Sequence, residues 1–414
     1  MPRSFPNVRL VLVCFAALAS ALPIVIIGIA KLLLCLCAIA VVIDGWRRRD
    51  HTAEHLPGST SPLILLALIA IAASLLWSTG SKDESLLSFV KHGKLILIPA
   101  LLLLITSRRE AKIALTFFVG GQVFLLTSTW LLFMGVPIPW VVSKEAGICE
   151  ICSYAVFSSY LDQSIMTAVL AAVAWHFRAY ASPPNKRMLA LIVSFLGLAC
   201  VFFIFQGRTG HLVAVALITL AIFWELPKRF RAAAVAIPFV LLFVLASSSS
   251  MVHDRLFKIG KDIAAFDRSG DISSSSGDRL NRWHRSQQSI AENLWLGTGA
   301  GSWNQEINQQ EARHTKESIV KITGNSHQEF LLWGVELGLP GVALLCAVLL
   351  GLYRDTRRME TPIRRAAQSV LAALVLACLF NCALYDALIG DFFCISIALL
   401  LALGAHPRPV GHAA

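Results

Sequence analysis

The sequence predicts an all-α polytopic membrane protein with about twelve transmembrane helices and a long, helix-containing loop on the outer face. Three observations predict it. Of 414 residues, 56% are apolar and 15% charged, where a soluble domain carries about a quarter charged. Apolar runs of about 20 residues, the length that crosses hydrocarbon as a helix, recur along the whole chain. Lysine and arginine collect in alternate connections, the asymmetry that sets orientation in a bilayer.

In order, the candidate spans are 8–22, 24–44, 61–78, 87–106, 112–134, 163–179, 188–205, 211–225, 232–248, 328–353, 366–385 and 392–405. The first two share one apolar run broken near Pro23, so eleven spans also fit. The first has a signal peptide's length, but no small-residue cleavage site followed by a soluble domain appears. With the N-terminus inside, the inner connections hold Arg47 to Arg49, Arg108, Arg109, Arg178, Lys186, Arg187, Lys228, Arg229, Arg231, Arg354, Arg357, Arg358, Arg364 and Arg365. The short outer loops hold Lys82, Lys144 and Arg208. The net charge of +11 is then mostly a topology signal, and a nucleic-acid partner is not expected. The chain divides into an N-terminal bundle at 1–248, an outer loop at 249–326 and a C-terminal membrane region at 327–414.

Most of the ten cysteines lie in predicted spans and behave as small apolar residues. Cys149 and Cys152, in the outer sequence CEIC, are read as a structural disulfide or free thiols; no second pair or histidine cluster supports a metal.

Within the outer loop, GDRLNRWHRSQQSIAENLW reads as an amphipathic helix with Leu280, Trp283, Gln287, Ile290 and Leu294 on one stripe. Arg279, Arg282 and Arg285 form a cationic ridge beside it, either a solvated face on lipid headgroups or a ligand surface. LGTGAGSW, residues 296–303, has the look of a phosphate loop but lacks the lysine and the flanking βαβ unit, so a tight turn is expected. Next, Ser326 and Glu329 spell S-x-x-E, a capping box that makes His327 the first helical residue. The positive end of the helix dipole would there favour a neutral imidazole, and free backbone N–H groups would favour anionic oxygen. Gly334, Gly338 and Gly341 would share the His327 face, and Pro340 would kink the span or divide off a short interfacial helix. The plainer reading of His327 is a surface histidine satisfied by hydrogen bonds. Arg208 is the sole basic residue of QGRTGH; it either snorkels or grips phosphate through paired N–H donors. Asp386 and Asp391 flank the last outer turn as ordinary acids or as orienting partners for Arg or His. Lys91, His92 and Lys94 interrupt the fourth span, where they line a cavity or snorkel from it.

Taken together and in this order, these residues resemble the O-antigen ligase family, which is grouped with the O-antigen polymerases. The family pattern H-[NSQ]-x9-G-x-x-G is met by His327, Gln328, Gly338 and Gly341. An arginine at the outer end of a middle span is matched by Arg208, and a loop arginine four positions before a tryptophan by Arg279 and Trp283, with the glycine-rich turn following. The resemblance implies an inverting, metal-independent, cofactor-free glycosyl transfer of the GT-C type. It would move O-antigen from undecaprenyl pyrophosphate to lipid A-core at the periplasmic face of a Gram-negative inner membrane, with both termini cytoplasmic. On that basis His327 takes or orients the acceptor hydroxyl proton, and Arg208 and Arg279 bind the pyrophosphate. Arg282, Trp283, Gln328, Lys91 and Lys94 are the further substrate-binding candidates, with Trp295 and Trp303 as sugar-stacking faces or interface anchors. Two rivals remain open: a polymerase joining repeat units on the same carrier, and a transporter of lipid-linked sugar, which would place its ionisable residues near mid-membrane.

Overall fold

The computed structural model describes residues 6–47, 60–141, 154–181, 183–205, 207–240, 260–261, 263–266, 268, 272–314 and 322–406. Its helices are α1 (Pro6–Ala19), α2 (Ile24–Arg47), α3 (Thr60–Ser74), α4 (Lys82–His92), α5 (Leu97–Leu104), α6 (Arg108–Phe133), α7 (Tyr160–Phe177), α8 (Pro184–Ala199), α9 (Arg208–Glu225), α10 (Ser275–Glu292), α11 (Trp303–His314), α12 (Glu329–Thr356), α13 (Thr361–Phe380) and α14 (Ala387–Ala405). A 3-10 turn, Gly93–Ile96, joins α4 to α5, and a π-helical turn, Cys200–Phe205, extends α8. Among the described residues, all regular structure is helical.

Eight of these segments are long and apolar enough to cross a membrane: α2, Lys82–Leu104, α6, Pro184–Phe205, α9, α12, α13 and α14. The protein is a multi-pass membrane protein. The expected spans at 8–22 and 61–78 are realised as the shorter helices α1 and α3, of 14 and 15 residues. At about 1.5 Å per residue, neither reaches across a 30 Å hydrocarbon layer unaided. Pro23 separates α1 from α2 because the residue before a proline is pushed out of helical geometry. The later part of the expected ninth span 232–248, from 241 onward, lies outside the described residues, as do Lys144, Cys149 and Cys152; its start is a 3-10 helix, Lys228–Ala236.

Two helices form the interior. On α14 every residue from Ile389 to Leu403 is buried, and on α7 every residue from Gln163 to Val173. Charges taken into this interior are paired. Asp391 of α14 accepts from Lys31 Nζ of α2 at 2.7 Å. Away from the turns that precede α12 and α14, Glu360 receives both arms of Arg108 at 2.6 and 3.0 Å and the Tyr180 hydroxyl, while Glu225 binds Arg178 and Arg365. These pairs tie α6, α9 and α13 together at that end.

One break in helical geometry shapes the site. Within α12, Gly338 adopts φ 70°, ψ −162°. Pro340 has no N–H and its ring clashes with the carbonyl four residues back, that of Glu336, so the helix opens there. The groups set free are taken up by the glycine-rich loop: Thr298 N–H donates to Val335 O at 2.8 Å, Gly299 N–H to Glu336 O at 2.9 Å, and Leu339 N–H to Leu294 O at 2.8 Å. LGTGAGSW is therefore a tight turn wedged into the kink, its amides spent on protein rather than offered to phosphate.

Candidate functional site

The site begins where three segments that are distant in sequence meet. Arg208 is the first residue of α9, straight after the π-helical turn. Its approach to α7 depends on Gly210, where an added Cβ would come within 2.1 Å of Ser164 Oγ. Arg208 Nη1 reaches over to Ser276 Oγ of α10 at 3.3 Å. One turn along α10 stands Arg279, half-buried, its guanidinium held below the usual arginine range by burial and then by the charge of Arg208. Two like charges so placed, with no acidic partner bonded to Arg279 among the described residues, make a ready-made anion grip.

His327 lies within reach of the charges of Arg279 and Arg282. Its imidazole is lowered to about 4, first by burial, then by the charges of Arg279 and Arg282, with Asp278 opposing. The ring is thus neutral across the physiological range. The cause differs from the expected helix dipole, because the capping box does not form. Ser326 Oγ turns to Gln328 O at 2.6 Å, and Gln328 caps the helix by accepting from Leu331 N–H at 2.6 Å. Glu329 does not reach back: fully buried, its carboxylate accepts from Trp333 Nε1 at 3.1 Å, Leu384 N–H at 3.0 Å and Tyr385 N–H at 3.3 Å. Donors in an apolar interior must be satisfied, and this acid satisfies three. The helix consequently starts at Glu329, and His327 sits before it at φ 50°, the one positive-φ residue besides glycines among the described residues. The expectation that the glycines share the His327 face fails for the same reason. Gly334 instead admits Ile290 of α10, whose Cδ1 would lie 2.5 Å from an added Cβ.

Residues 192–346 match a family model described as O-antigen ligase. Over that stretch the chain is similar to the O-antigen ligase family. That stretch contains Arg208, Arg279, His327 and the kink of α12, so the family similarity and these candidate residues fall on the same part of the chain. A search of curated proteins found no match.

The remaining candidates are already engaged. Arg282 pairs with Asp278 at 2.8 Å and donates to Thr323 O and Asn325 O at 3.0 and 3.2 Å. Arg285 pairs with Glu311 at 2.9 Å. Of the ridge, then, Arg279 is the member left for a ligand. Lys94 is buried, with its ammonium on the carbonyls of Tyr385, Asp386 and Ala387 at 3.0, 2.6 and 3.4 Å; Lys91 lies 4.2 Å from the Tyr385 ring centroid. Asp386 is pushed up by burial against the pull of Lys94 and Lys91, and binds Asn325. Trp303 is buried with its indole N–H on Ser286 Oγ at 3.1 Å, which removes it as a sugar platform, whereas Trp295 is 71% exposed. Trp283 is half-buried, its indole nitrogen without a hydrogen-bond partner among the described residues. The face of α10 that packs inward carries Gly277, Asn281, Ser286 and Ser289 rather than the expected apolar stripe, because its neighbours there, Glu311 and Trp303, are themselves polar or bear a donor.

Sequence reasoning missed Glu336. Its Oε1 accepts from Ser88 Oγ and Gly301 N–H, both at 2.7 Å, and its Oε2 meets His92 Nε2 at 2.8 Å, which locks α4, α12 and the glycine-rich loop together. An acid in the middle of an apolar span was the available signal.

Proposed function

We infer that this protein transfers O-antigen polysaccharide from undecaprenyl pyrophosphate onto the core sugar of lipid A-core, at the periplasmic face of the inner membrane. On this reading it is a GT-C-type enzyme of about twelve spans with both termini cytoplasmic, and it works by inverting transfer without metal. The observation that carries the reading is the pair of Arg208 and Arg279, with no acid bonded to them among the described residues, beside a neutral imidazole.

The two guanidinium groups bind the diphosphate and stabilise the charge that grows on it as the sugar leaves, the part a divalent cation plays in other transferases. Each preorganised donor of this kind contributes about 3 kcal/mol to the transition state. The acceptor hydroxyl attacks the anomeric carbon from the face opposite the leaving diphosphate, which inverts the centre. His327 accepts the hydrogen bond of that hydroxyl and fixes its lone pair. A value of about 4 makes it a weak base toward an alcohol. As the new C–O bond forms, however, the attacking oxygen becomes positive and far more acidic, so a weak neutral base suffices to take the proton.

The test is reconstitution of the purified protein with polymer-bearing undecaprenyl pyrophosphate and lipid A-core, without nucleotide or gradient. Capped lipid A-core is the expected product. Lengthening of the carrier-linked chain alone would assign a polymerase, and movement of unaltered lipid would assign a transporter.

A further inference from the structure

We propose that Asn325 is the positioning residue of the reaction, its side-chain amide fixing His327 by bridging the histidine main chain to the carboxylate of Asp386. The inference rests on the function proposed above and adds to it the residue that sets the imidazole in place.

Asn325 Oδ1 accepts from His327 N–H at 3.0 Å, and Asn325 Nδ2 donates to Asp386 Oδ1 at 3.0 Å. The orientation of the amide is fixed by its partners, since the N–H needs an acceptor and the carboxylate a donor. On one side the Asn325 carbonyl accepts from Arg282 Nη1 at 3.2 Å, and Arg282 is itself held at 2.8 Å by Asp278, four residues earlier on the same helix. On the other side the turn before α14 is immobilised from both directions. Lys94 grips three of its carbonyls, and the Glu329 carboxylate accepts from the amides of Leu384 and Tyr385. Asn325 therefore joins two rigid frames: α10, which carries Arg279, and the turn that opens α14. His327 hangs from that joint in a left-handed conformation that a non-glycine residue holds only when its surroundings impose it. The bridge needs one donor and one acceptor on a short planar group, which aspartate, leucine and alanine do not supply.

The experiment uses full-length protein in lipid nanodiscs with the two lipid substrates named above, comparing wild type, Asn325→Asp and the exchange Asn325→Asp with Asp386→Asn. The single change sets two carboxylates against each other and breaks the bridge. A drop in kcat of about 100-fold is expected, with KM for the donor within about threefold. The exchange rebuilds the bridge in reverse, with the new amide at 386 donating to the new carboxylate at 325, which still accepts from His327 N–H; most of kcat returns. As a second readout, NMR of isotopically labelled histidine follows the His327 titration, which answers to Arg279, Arg282 and Asp278 around the ring. A carboxylate at 325 is expected to raise that midpoint in both variants, a movement that general loosening of the fold does not produce. Wild-type kcat with an unmoved midpoint in Asn325→Asp overturns the proposal, and so does an exchange that restores thermal stability but not kcat. If wild-type protein couples no polymer to lipid A-core, the functional reading falls by itself. The titration then decides the positioning role: a raised midpoint upholds it and an unmoved one overturns it.

Discussion

Arg279 and Arg282 lie one helical turn apart and present the same functional group, yet their surroundings give them different work. Among the described residues Arg279 has no acid bonded to it, whereas Arg282 is held by Asp278 and by two carbonyls of the loop that leads to His327. Substituting Arg279 or Arg208 by alanine is expected to lower kcat by about 100- to 1000-fold without unfolding the protein. Lysine at either position recovers little, since it lacks the planar fork; single-turnover transfer checks both. The pH dependence follows from His327. Its value in the fold is about 4 against an ordinary 6.5, so the folded state favours the uncharged ring. Its contribution to stability is complete above about 6.5 and is lost as pH falls through about 4. Transfer should likewise be insensitive to this group from about pH 8 to 5 and decline below, with a midpoint near 4. Arg279→Ala removes one of the charges that depress the ring, so the residual activity of that variant should show its acid limb at higher pH.

At the scale of elements, α12 is two helices held in register by a loop from elsewhere. Gly338→Ala places a methyl group 2.5 Å from Leu294 O in a backbone region reserved for glycine. A loss of about 3 kcal/mol is expected, read as a lowered apparent Tm in detergent. Glu336→Gln keeps the shape but surrenders the charge that Ser88, Gly301 and His92 all address. It should lower Tm by a comparable amount while leaving the affinity for the donor diphosphate unchanged, as measured by equilibrium binding. The break in α12 was legible in the sequence, because proline at 340 forbids an ordinary turn around Glu336. What fills the break was not, since the partners are main-chain groups of residues 294–301, and main-chain groups leave no mark in a sequence.

For the whole molecule, the membrane character was readable in advance, and Arg208, Arg279 and His327 could be picked out as candidates. Hydrophobic length needs no tertiary information, and isolated charges at span ends stand out against an apolar background. The start of α12 was misread for a related reason. Ser326 and Glu329 fit a local motif, but burial of Glu329 against the turn before α14 is a long-range fact that overrides it. Long-range pairing also governs stability. Lys31→Met would leave Asp391 fully buried without its partner, at a cost of about 3–5 kcal/mol, and Lys31→Met with Asp391→Leu should recover most of it. Thermal unfolding of the two proteins compares them directly.

The burial of α14 has a consequence for biogenesis. The helix that fills the middle of the bundle is synthesised after the thirteen others named here. Until it emerges, its neighbours surround a vacant seat, and the turn that Lys94, Glu329 and Asn325 grip does not yet exist. A ribosome stalled ahead of residue 387 would leave a nascent polypeptide threaded through the membrane but hollow, and quality-control proteases should clear it much faster than the finished chain.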